Sequence, residues 1–565
     1  MPMKDSELLG ESRNLAEKRL NQVWERLGRD SNLQRLYSEF MQEYKDLKHM
    51  ELAEGSESIT DSYYLPHHGV YRPDKSSTRL RVVFNASTAT TSGLSLNDIL
   101  LKGRIPQQEL FSIMVRFRKH RYAFTADVQK MYRQILVHPP QRDLLRILWK
   151  DSVDAPVQTY KLNTVTYGTS NAPYLATRAL KQLAIDESQN LPLASSVALT
   201  DFYVDDILSG ESSLEKARIL QSQLIDLLKL GKMELHKWRA NHPDLLVSEN
   251  KVTAHSEYTF EEQQESSSSV KTLGVLWNPQ TDCFLFAMTI PHSNSYSKRD
   301  VLSLISKMFD PLGLIGPVVT KAKIFMQRLW LAKLDWNDTL PDSMAKEWIN
   351  FVSTLSELSN LKIPRFVFQE NHIVLHGFAD ASSSAYGAAI YVQALPVSGL
   401  PTVRLLCSKS RVAPIKTLSI PRLELSGCLL LSRLMDKVIS SLNVKVEKVI
   451  LWSDSTISLA WIRKSPHLLK TFVSNRVALI QELTGSYQWK YVPSECNPAD
   501  VISRGLDAND ILTCDIWWNG PDLLREDMHY PEQPLEPTTD NDYVKELKCS
   551  SESLRIRKGF QGLYP

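Results

Sequence analysis

The chain has 565 residues, 43% hydrophobic and 23% charged, which excludes collagen-like and disordered polymers and is too long for one core. Its 66 Lys and Arg nearly balance 64 Asp and Glu, so net charge neither marks nor excludes a nucleic-acid binder. Cys283, Cys407, Cys428, Cys496, Cys514 and Cys549 show no metal-ligand spacing and suggest no disulfide framework. No stretch reads as a secretion signal or reaches the ~20 apolar residues of a membrane span. The expectation is an intracellular chain, in a cytoplasmic particle, with no membrane partner.

In chain order, residues 6 to about 50 repeat Leu and aromatic residues at spacings of three and four, which predicts two amphipathic helices broken near Gly28–Asn32. "YYLPHHGVYRP" and "RLRVVFNAS" read as strands. "YAFTADVQKMYRQI" starts as a strand and turns helical after Asp127. "VTYGTSNAPYLATRALKQLA" is a loop and then a helix, with Pro173 in its first turn. "DFYVDDILSG" is a short apolar strand broken by Asp205 and Asp206. The polar "EEQQESSSS" at 261–269 reads as a solvated loop. Residues 297–336 are helical with a break at "DPLGLIGP".

From about 371, three strands, a helix, then two strand–helix pairs predict a compact mixed α/β domain. The tail from 506 carries "DIWWNGPDLL" and an acidic, Pro-containing stretch that reads as poorly ordered. Expected boundaries are an N-terminal helical segment (1–60), a fingers and palm body (61–290), a helical connection (291–365), a mixed α/β domain (366–506) and a tail (507–565).

Two sets of acids carry chemistry. Asp127 ends one strand, and Asp205 with Asp206 occupies a predicted hairpin. The doublet alone leans to a capped turn over a metal site, because acidic residues are common in turns. If the two strands pair, three carboxylates meet with nothing basic nearby in sequence, and such a group needs cations. Hard oxygen donors suit Mg²⁺, and two such ions ~3.5–4 Å apart serve phosphoryl transfer. In the later domain Asp380, Glu424, Asp454 and Asp500 come from four elements that can converge at one end of a sheet. The same reasoning predicts two Mg²⁺ ions there, activating water for phosphodiester hydrolysis.

The order D-x-x-x-x-Y, "YGTSNAP", "YVDD" resembles reverse transcriptases. "YYLPHHGVYRP", "LRVVFNAS", "ELHKW", "TLGVLW" and "KMFDPLGLIGPV" resemble the Bel/Pao class of LTR retrotransposons, over about residues 12 to 530. "FADAS", "PRLEL", "WSDS" and "NPAD" in this order resemble an RNase H domain. The resemblance implies an α+β right-hand polymerase of fingers, palm and helical connection, followed by an RNase H-like domain. It implies RNA- and DNA-directed DNA synthesis plus hydrolysis of RNA in hybrids. Asp127, Asp205 and Asp206 would be the polymerase ligands, and Asp380, Glu424, Asp454 and Asp500 those of the nuclease.

Tyr132 would gate the sugar of the incoming nucleotide, Arg81 would hold its triphosphate, Gly168 would let backbone approach it, and Lys237 would sit near pyrophosphate. Partners would be an RNA template, a DNA primer, an RNA–DNA hybrid and deoxynucleoside triphosphates. A homodimer or other Pol segments stay open as further partners. Tyr167 and Asn85 depart from the common Gln and Asp of reverse transcriptases. The loop before Asp500, "SECN", lacks the His of many cellular RNases H, and Glu495 is a candidate to replace part of its role. The Lys and Arg of 298–333 either track phosphates or form a solvated helix face. With no protease, zinc-finger or integrase pattern in view, the resemblance implies the polymerase–RNase H section of a longer polyprotein, or a truncated copy. The rival reading is a decayed or domesticated copy that binds nucleic acid without catalysis.

Overall fold

The computed structural model describes residues 1–4, 8–53, 62–73, 79–104, 107–246, 270–288, 295–369, 372–396, 398–525, 531–534, 537 and 539–548. The predicted loop at 261–269 lies outside them. The chain forms two compact units: residues 1–108, 125–207 and 218–238 make unit 1, and 109–124, 208–217 and 239 onward make unit 2.

Unit 1 begins with α1 (Arg13–Leu27) and α2 (Ser31–Asp46). Their three-and-four spacing buries Ala16, Leu20, Trp24 and Leu27, then Leu33, Tyr37, Met41 and Tyr44. Asp30 ends the break by accepting the Leu33 N–H at 3.0 Å, a helix N-cap. The strands that follow are β1 (Met50–Leu52), β2 (His67–Tyr71), β3 (Leu80–Phe84), β4 (Tyr122–Val128), β5 (Arg146–Trp149) and β6 (Gln158–Leu162). β2 and β3 form an antiparallel pair, and β1, β6 and β5 a three-stranded sheet. Tyr37 stacks on Trp149 of that sheet with centroids 5.4 Å apart.

Next come α3 (Ala172–Asp186), α4 (Pro192–Thr200), β7 (Phe202–Tyr203), β8 (Asp206–Glu211), α5 (Leu214–Leu230) and β9 (Leu235–Ala240). Strands pair in the order β7-β8-β4-β9. The helix expected after Asp127 is only a 3-10 turn, Met131–Gln134. Lys130 enters the left-handed region at φ 50°, which prevents an α-helix from starting there.

Unit 2 contains β10 (Val270–Thr272), β11 (Val275–Asn278), β12 (Cys283–Leu285), α6 (Lys298–Lys307), α7 (Gly316–Leu331), α8 (Asp342–Thr354) and β13 (Ile363–Pro364). β10 to β13 form one sheet. Buried arginines fasten it within the unit. Arg365 is fully buried and pairs with both Asp282 oxygens at 2.7 Å. Arg118, also buried, donates to the carbonyls of Pro364, Arg365, Leu405 and Leu406.

The second sheet uses β14 (His372–Ala381), β15 (Ala385–Leu395) and β16 (Thr402–Val412), then α9 (Ile420–Leu442), β17 (Lys448–Ser453), α10 (Thr456–Arg463), α11 (Thr471–Thr484), β18 (Gln488–Tyr491) and α12 (Ala499–Arg504). The strand order is β16-β15-β14-β17-β18, with β14 antiparallel to β15 and parallel to β17. β14 and β15 are buried along nearly their whole length, as strands covered on both faces must be.

The tail is more ordered than expected. Short helices occupy Ala508–Thr513, Asp515–Asn519 and Asn541–Val544. Trp517 is fully buried, its indole donating to Leu314 O at 2.9 Å. Glu546 is buried and pairs with Arg422 at 2.6 Å. Charge and proline content hid these anchors, because a single buried aromatic or ion pair leaves no periodic signal. Among the described residues no helix is long and apolar enough to cross a membrane, and the five described cysteines are free.

Candidate active sites: two carboxylate clusters

The doublet proves to be both a turn and part of a cluster. Phe202 pairs with Ile207 and Tyr203 with Asp206, so Val204 and Asp205 form the hairpin turn and Asp206 opens β8. Val204 sits at φ 58°, where a β-branched residue is strained. The Gln107 side chain accepts its N–H at 2.8 Å and holds the turn. Asp127 lies near the end of β4, and the following Val128 N–H donates to Asp205 O at 2.8 Å.

The three acids are close enough to shift one another. Burial and then the charge of Asp127 raise Asp205. Burial, then Asp205 and Asp127, push Asp206 up to about 7. Burial would raise Asp127 too, but hydrogen bonds from His236 and Lys237 outweigh it and hold Asp127 below its ordinary value. Lys237 Nζ is 3.0 Å and His236 Nε2 3.5 Å from Asp127 Oδ2. Nothing basic lies beside these acids in sequence, and β9 brings Lys237 and His236 to Asp127 from a hundred residues away. Lys237 is on Asp127 rather than free.

Of the other candidates of unit 1, Tyr132 and Arg81 lie near enough to interact electrostatically with Asp205. Tyr132 packs tilted against Tyr167, the residue that departs from the common Gln, with ring centroids 4.9 Å apart. Both phenols feel the charge of Asp205. Arg81 is exposed on β3, and its charge reaches Tyr167 and Asp205. Gly168 has φ +108°, and a Cβ there would lie 1.7 Å from Phe84 O. The close backbone approach it allows here is to β3. Asn85 is exposed and accepts the Ser87 N–H at 3.0 Å, an ordinary Asx turn.

The second cluster lies wholly in unit 2. Ala379 pairs with Ser453 in the parallel β14–β17 ladder, so Asp380 and Asp454 follow side by side. Glu424 is in the first turns of α9, and Asp500 in the first turn of α12. Burial, then the charge of Asp454, push Asp380 up to about 6. Burial pushes Glu424 up to about 7, against a hydrogen bond from Ser455, with Asp454 and Asp380 adding to the rise.

Each acid has a side-chain donor that the sequence reading missed. Ser455 Oγ donates to Glu424 at 2.5 Å and Ser494 Oγ to Asp454 at 2.5 Å. Ser503 Oγ donates to Asp380 at 2.5 Å, and Arg504 Nε to Asp500 at 2.6 Å. Asn497, almost fully buried, donates to both Ala379 O at 3.1 Å and Asp454 Oδ1 at 3.2 Å. Glu495 is exposed in the same short loop, while its neighbours do the holding. Adjacency was the available signal: Ser455 follows Asp454, and Ser503 and Arg504 lie three and four residues after Asp500 on one helix face.

Among the described residues no three His, Cys, Asp or Glu side chains form a ready-made metal centre. The donor chemistry still fits a hard cation. Each proposed set is all carboxylate oxygen, and burial together with neighbouring acids raises Asp206 in one and Asp380 in the other, which a divalent ion would relieve. The serine, asparagine and lysine donors would compete with such an ion for the same oxygens.

The basic residues of 298–333 are mostly committed elsewhere. Lys298 is buried, donates to Leu334 O at 2.9 Å and lies 3.4 Å above the Trp330 ring. Lys321 pairs with Asp507 and Arg328 with Glu347.

Residues 297–455 match the family model described as Pao retrotransposon-like RNaseH-like domain, a span that includes Asp380, Glu424 and Asp454. Of solved structures, the foamy viral protease-reverse transcriptase dRH in complex with ds DNA is 14% identical, covering 80% of this chain and 68% of that one, with TM-score 0.51. The foamy viral protease-reverse transcriptase in complex with RNA/DNA hybrid is 12% identical, covering 79% of this chain and 51% of that one, with TM-score 0.48. No curated protein matches the chain. The fold is that of a reverse transcriptase followed by an RNase H-like domain.

Proposed function

We propose, on the premise that this chain is a Pao/Bel-class retroelement Pol, that it is an RNA- and DNA-directed DNA polymerase that also hydrolyses RNA in RNA–DNA hybrids. One observation carries the reading. Each unit gathers its own carboxylates from separate elements, close enough that, beyond burial, neighbouring acids help to raise Asp206 in one and Asp380 and Glu424 in the other.

In unit 1, Asp127, Asp205 and Asp206 would hold Mg²⁺, and in unit 2 Asp380, Glu424, Asp454 and Asp500 would do so. When bound, such ions supply charge neutralisation for the attacking and leaving oxygens of phosphoryl transfer. The chain's own residues do the positioning. The Val204 turn sets Asp205 and Asp206 at one point against Asp127. Lys237, released from Asp127, reaches the leaving phosphates. Arg81 offers its guanidinium to the triphosphate. Tyr132, braced by Tyr167, excludes a sugar carrying a 2′-hydroxyl. Ser455, Ser494, Asn497 and Ser503 fix the orientation of the hydrolytic acids. The double-stranded DNA held by the foamy viral protease-reverse transcriptase dRH supports a nucleic-acid duplex as the shared substrate.

The test separates the two activities. Primer extension on an RNA template, and release of RNA from a labelled hybrid, are measured on the parent, Asp205→Asn and Asp454→Asn. Asp205→Asn is expected to lose extension by at least about 100-fold and keep RNA release, and Asp454→Asn the reverse. Hybrid binding with neither activity in the parent would replace this reading with the binding-only one.

A further inference from the structure

Outside both carboxylate clusters, unit 2 has an open cleft of about 730 Å³. Its walls come from three elements far apart in sequence. Lys323 is on α7, Lys409 and Arg411 are on β16, and Arg433 and Lys437 are on α9. Against these five cations stand two carboxylates. Glu109 is on the rim, 3.2 Å from Lys437. Asp310 is at the floor, where it accepts the N–H groups of Leu314 and Ile315 at 2.9 and 2.8 Å. Among the described residues, Lys323, Lys409, Arg411 and Arg433 are not within ion-pair distance of any carboxylate. Burial holds Lys323 below its ordinary value, and the charge of Lys409 adds to this against that of Asp310. Like charges gathered without partners are costly unless an anion joins them.

The cleft has a fixed frame. Gly313, at φ +71°, presses its loop onto β16, and a Cβ there would sit 2.2 Å from Ser408 O. Ser408 N–H donates to Leu312 O at 2.8 Å, and Thr320 Oγ1 donates to Ser410 Oγ at 2.6 Å. Strand register then relates the cleft to the hydrolytic acids. Asp380 pairs with Gly387, and Gly387 with Ser410. Ser410 is therefore two strands from Asp380, about 10 Å across the sheet, and Lys409 and Arg411 flank it along the strand with their side chains on the opposite face, the one that carries α9 and Glu424. A duplex carries one negative charge per ~1.7 Å of its axis, so 10 Å spans several phosphates.

We propose that this cleft binds the phosphodiester backbone of the duplex whose RNA strand is presented to the Asp380 cluster. The proposal rests on the hydrolytic reading for the identity of the duplex. Backbone is the source favoured over a small polyphosphate, since the cations are spread along an open cleft and the carboxylate floor repels a compact anion. The resulting contact is independent of base sequence and positions the hybrid on the sheet.

The test uses the full chain carrying Asp454→Asn throughout, so that binding is read without cleavage. Affinity for a ~20-base-pair RNA–DNA hybrid is measured from 50 to 200 mM salt. Lys409→Ala/Arg411→Ala/Arg433→Ala is expected to reduce the slope of log K against log salt by about 2.7, which is about a 40-fold smaller loss of affinity over that range. The charge-keeping triple Lys409→Arg/Arg411→Lys/Arg433→Lys is expected to retain the slope. An unchanged slope in the alanine triple, or an equal fall in both triples, would overturn the proposal. So would tripolyphosphate binding that the alanine triple loses while hybrid affinity stays the same. Failure of the Asp454-intact parent to release RNA would sink the hydrolytic reading alone, because the binding result does not depend on it.

Discussion

Asn497 joins two strands at the point where they deliver Asp380 and Asp454. Asn497→Ala would leave a buried carbonyl and a carboxylate oxygen without their donor. The expected cost is about 1–3 kcal/mol of stability. RNA release should fall about 10–100-fold, as when a residue that orients metal ligands is removed. DNA synthesis should be unchanged, and thermal melts beside both activity assays would check this.

The raised acids set a pH dependence with a definite sign. Asp380 near 6, Glu424 near 7 and Asp206 near 7 lie above their ordinary values of 3.8, 4.5 and 3.8. The folded chain therefore binds protons more tightly than the unfolded chain. The stability this gives is fully present below the ordinary carboxyl range and is lost as pH rises through 6 to 7. In the absence of divalent cations this contribution to the melting temperature should fall between about pH 4 and pH 7, while the lowered His67 and His376 contribute a rise. The melting temperature of the parent minus that of Glu424→Gln should therefore fall with pH over this range, and a difference that rises would contradict the cluster.

At the scale of elements, the Arg365–Asp282 pair ties the end of the β13 segment to β12 through two hydrogen bonds on a side chain with no exposure. Asp282→Ala would strand a buried guanidinium, at an expected cost of about 3–5 kcal/mol in denaturant unfolding. Elements were the most legible level of the sequence. The α1 and α2 stripes, the three strands from 371, and the long helix at Ile420–Leu442 all follow from periodicity and from proline position. Their hydrophobic pattern is dictated by the same burial that forms them. The short pieces were not legible. A four-residue 3-10 turn after Asp127 and the tail helices are selected by single contacts, namely Lys130 in the left-handed region and the Trp517 and Glu546 anchors. The acids of both sites could be named from order and strand ends. The pairing of Lys237 with Asp127, the Asn497 donor and the cleft cations could not, because register and packing bring them in.

At the scale of the whole molecule, the two units do not correspond to two stretches of sequence. Unit 2 takes residues 109–124 and 208–217 from within the span that otherwise builds unit 1. A fragment of residues 295–565 would keep all four hydrolytic acids but lose Arg118, and with it the donor to four carbonyls of its own unit. Each buried acceptor left without a donor costs about 1–3 kcal/mol. The fragment is expected to unfold at markedly lower denaturant than the corresponding transition of the full chain. Equal midpoints would show that the inserted segments add nothing.

The same interleaving governs birth on the ribosome. Arg118 is synthesised 287 residues before Leu405, one of the carbonyls it serves. At ~5–20 residues per second the segment around it waits about 15–60 s for its neighbours. Throughout that interval Ile113, Val115 and Phe117, all buried in the finished fold, are exposed on a nascent chain. Production of this protein should therefore depend on chaperone capacity during elongation, and slower translation should lengthen the exposure.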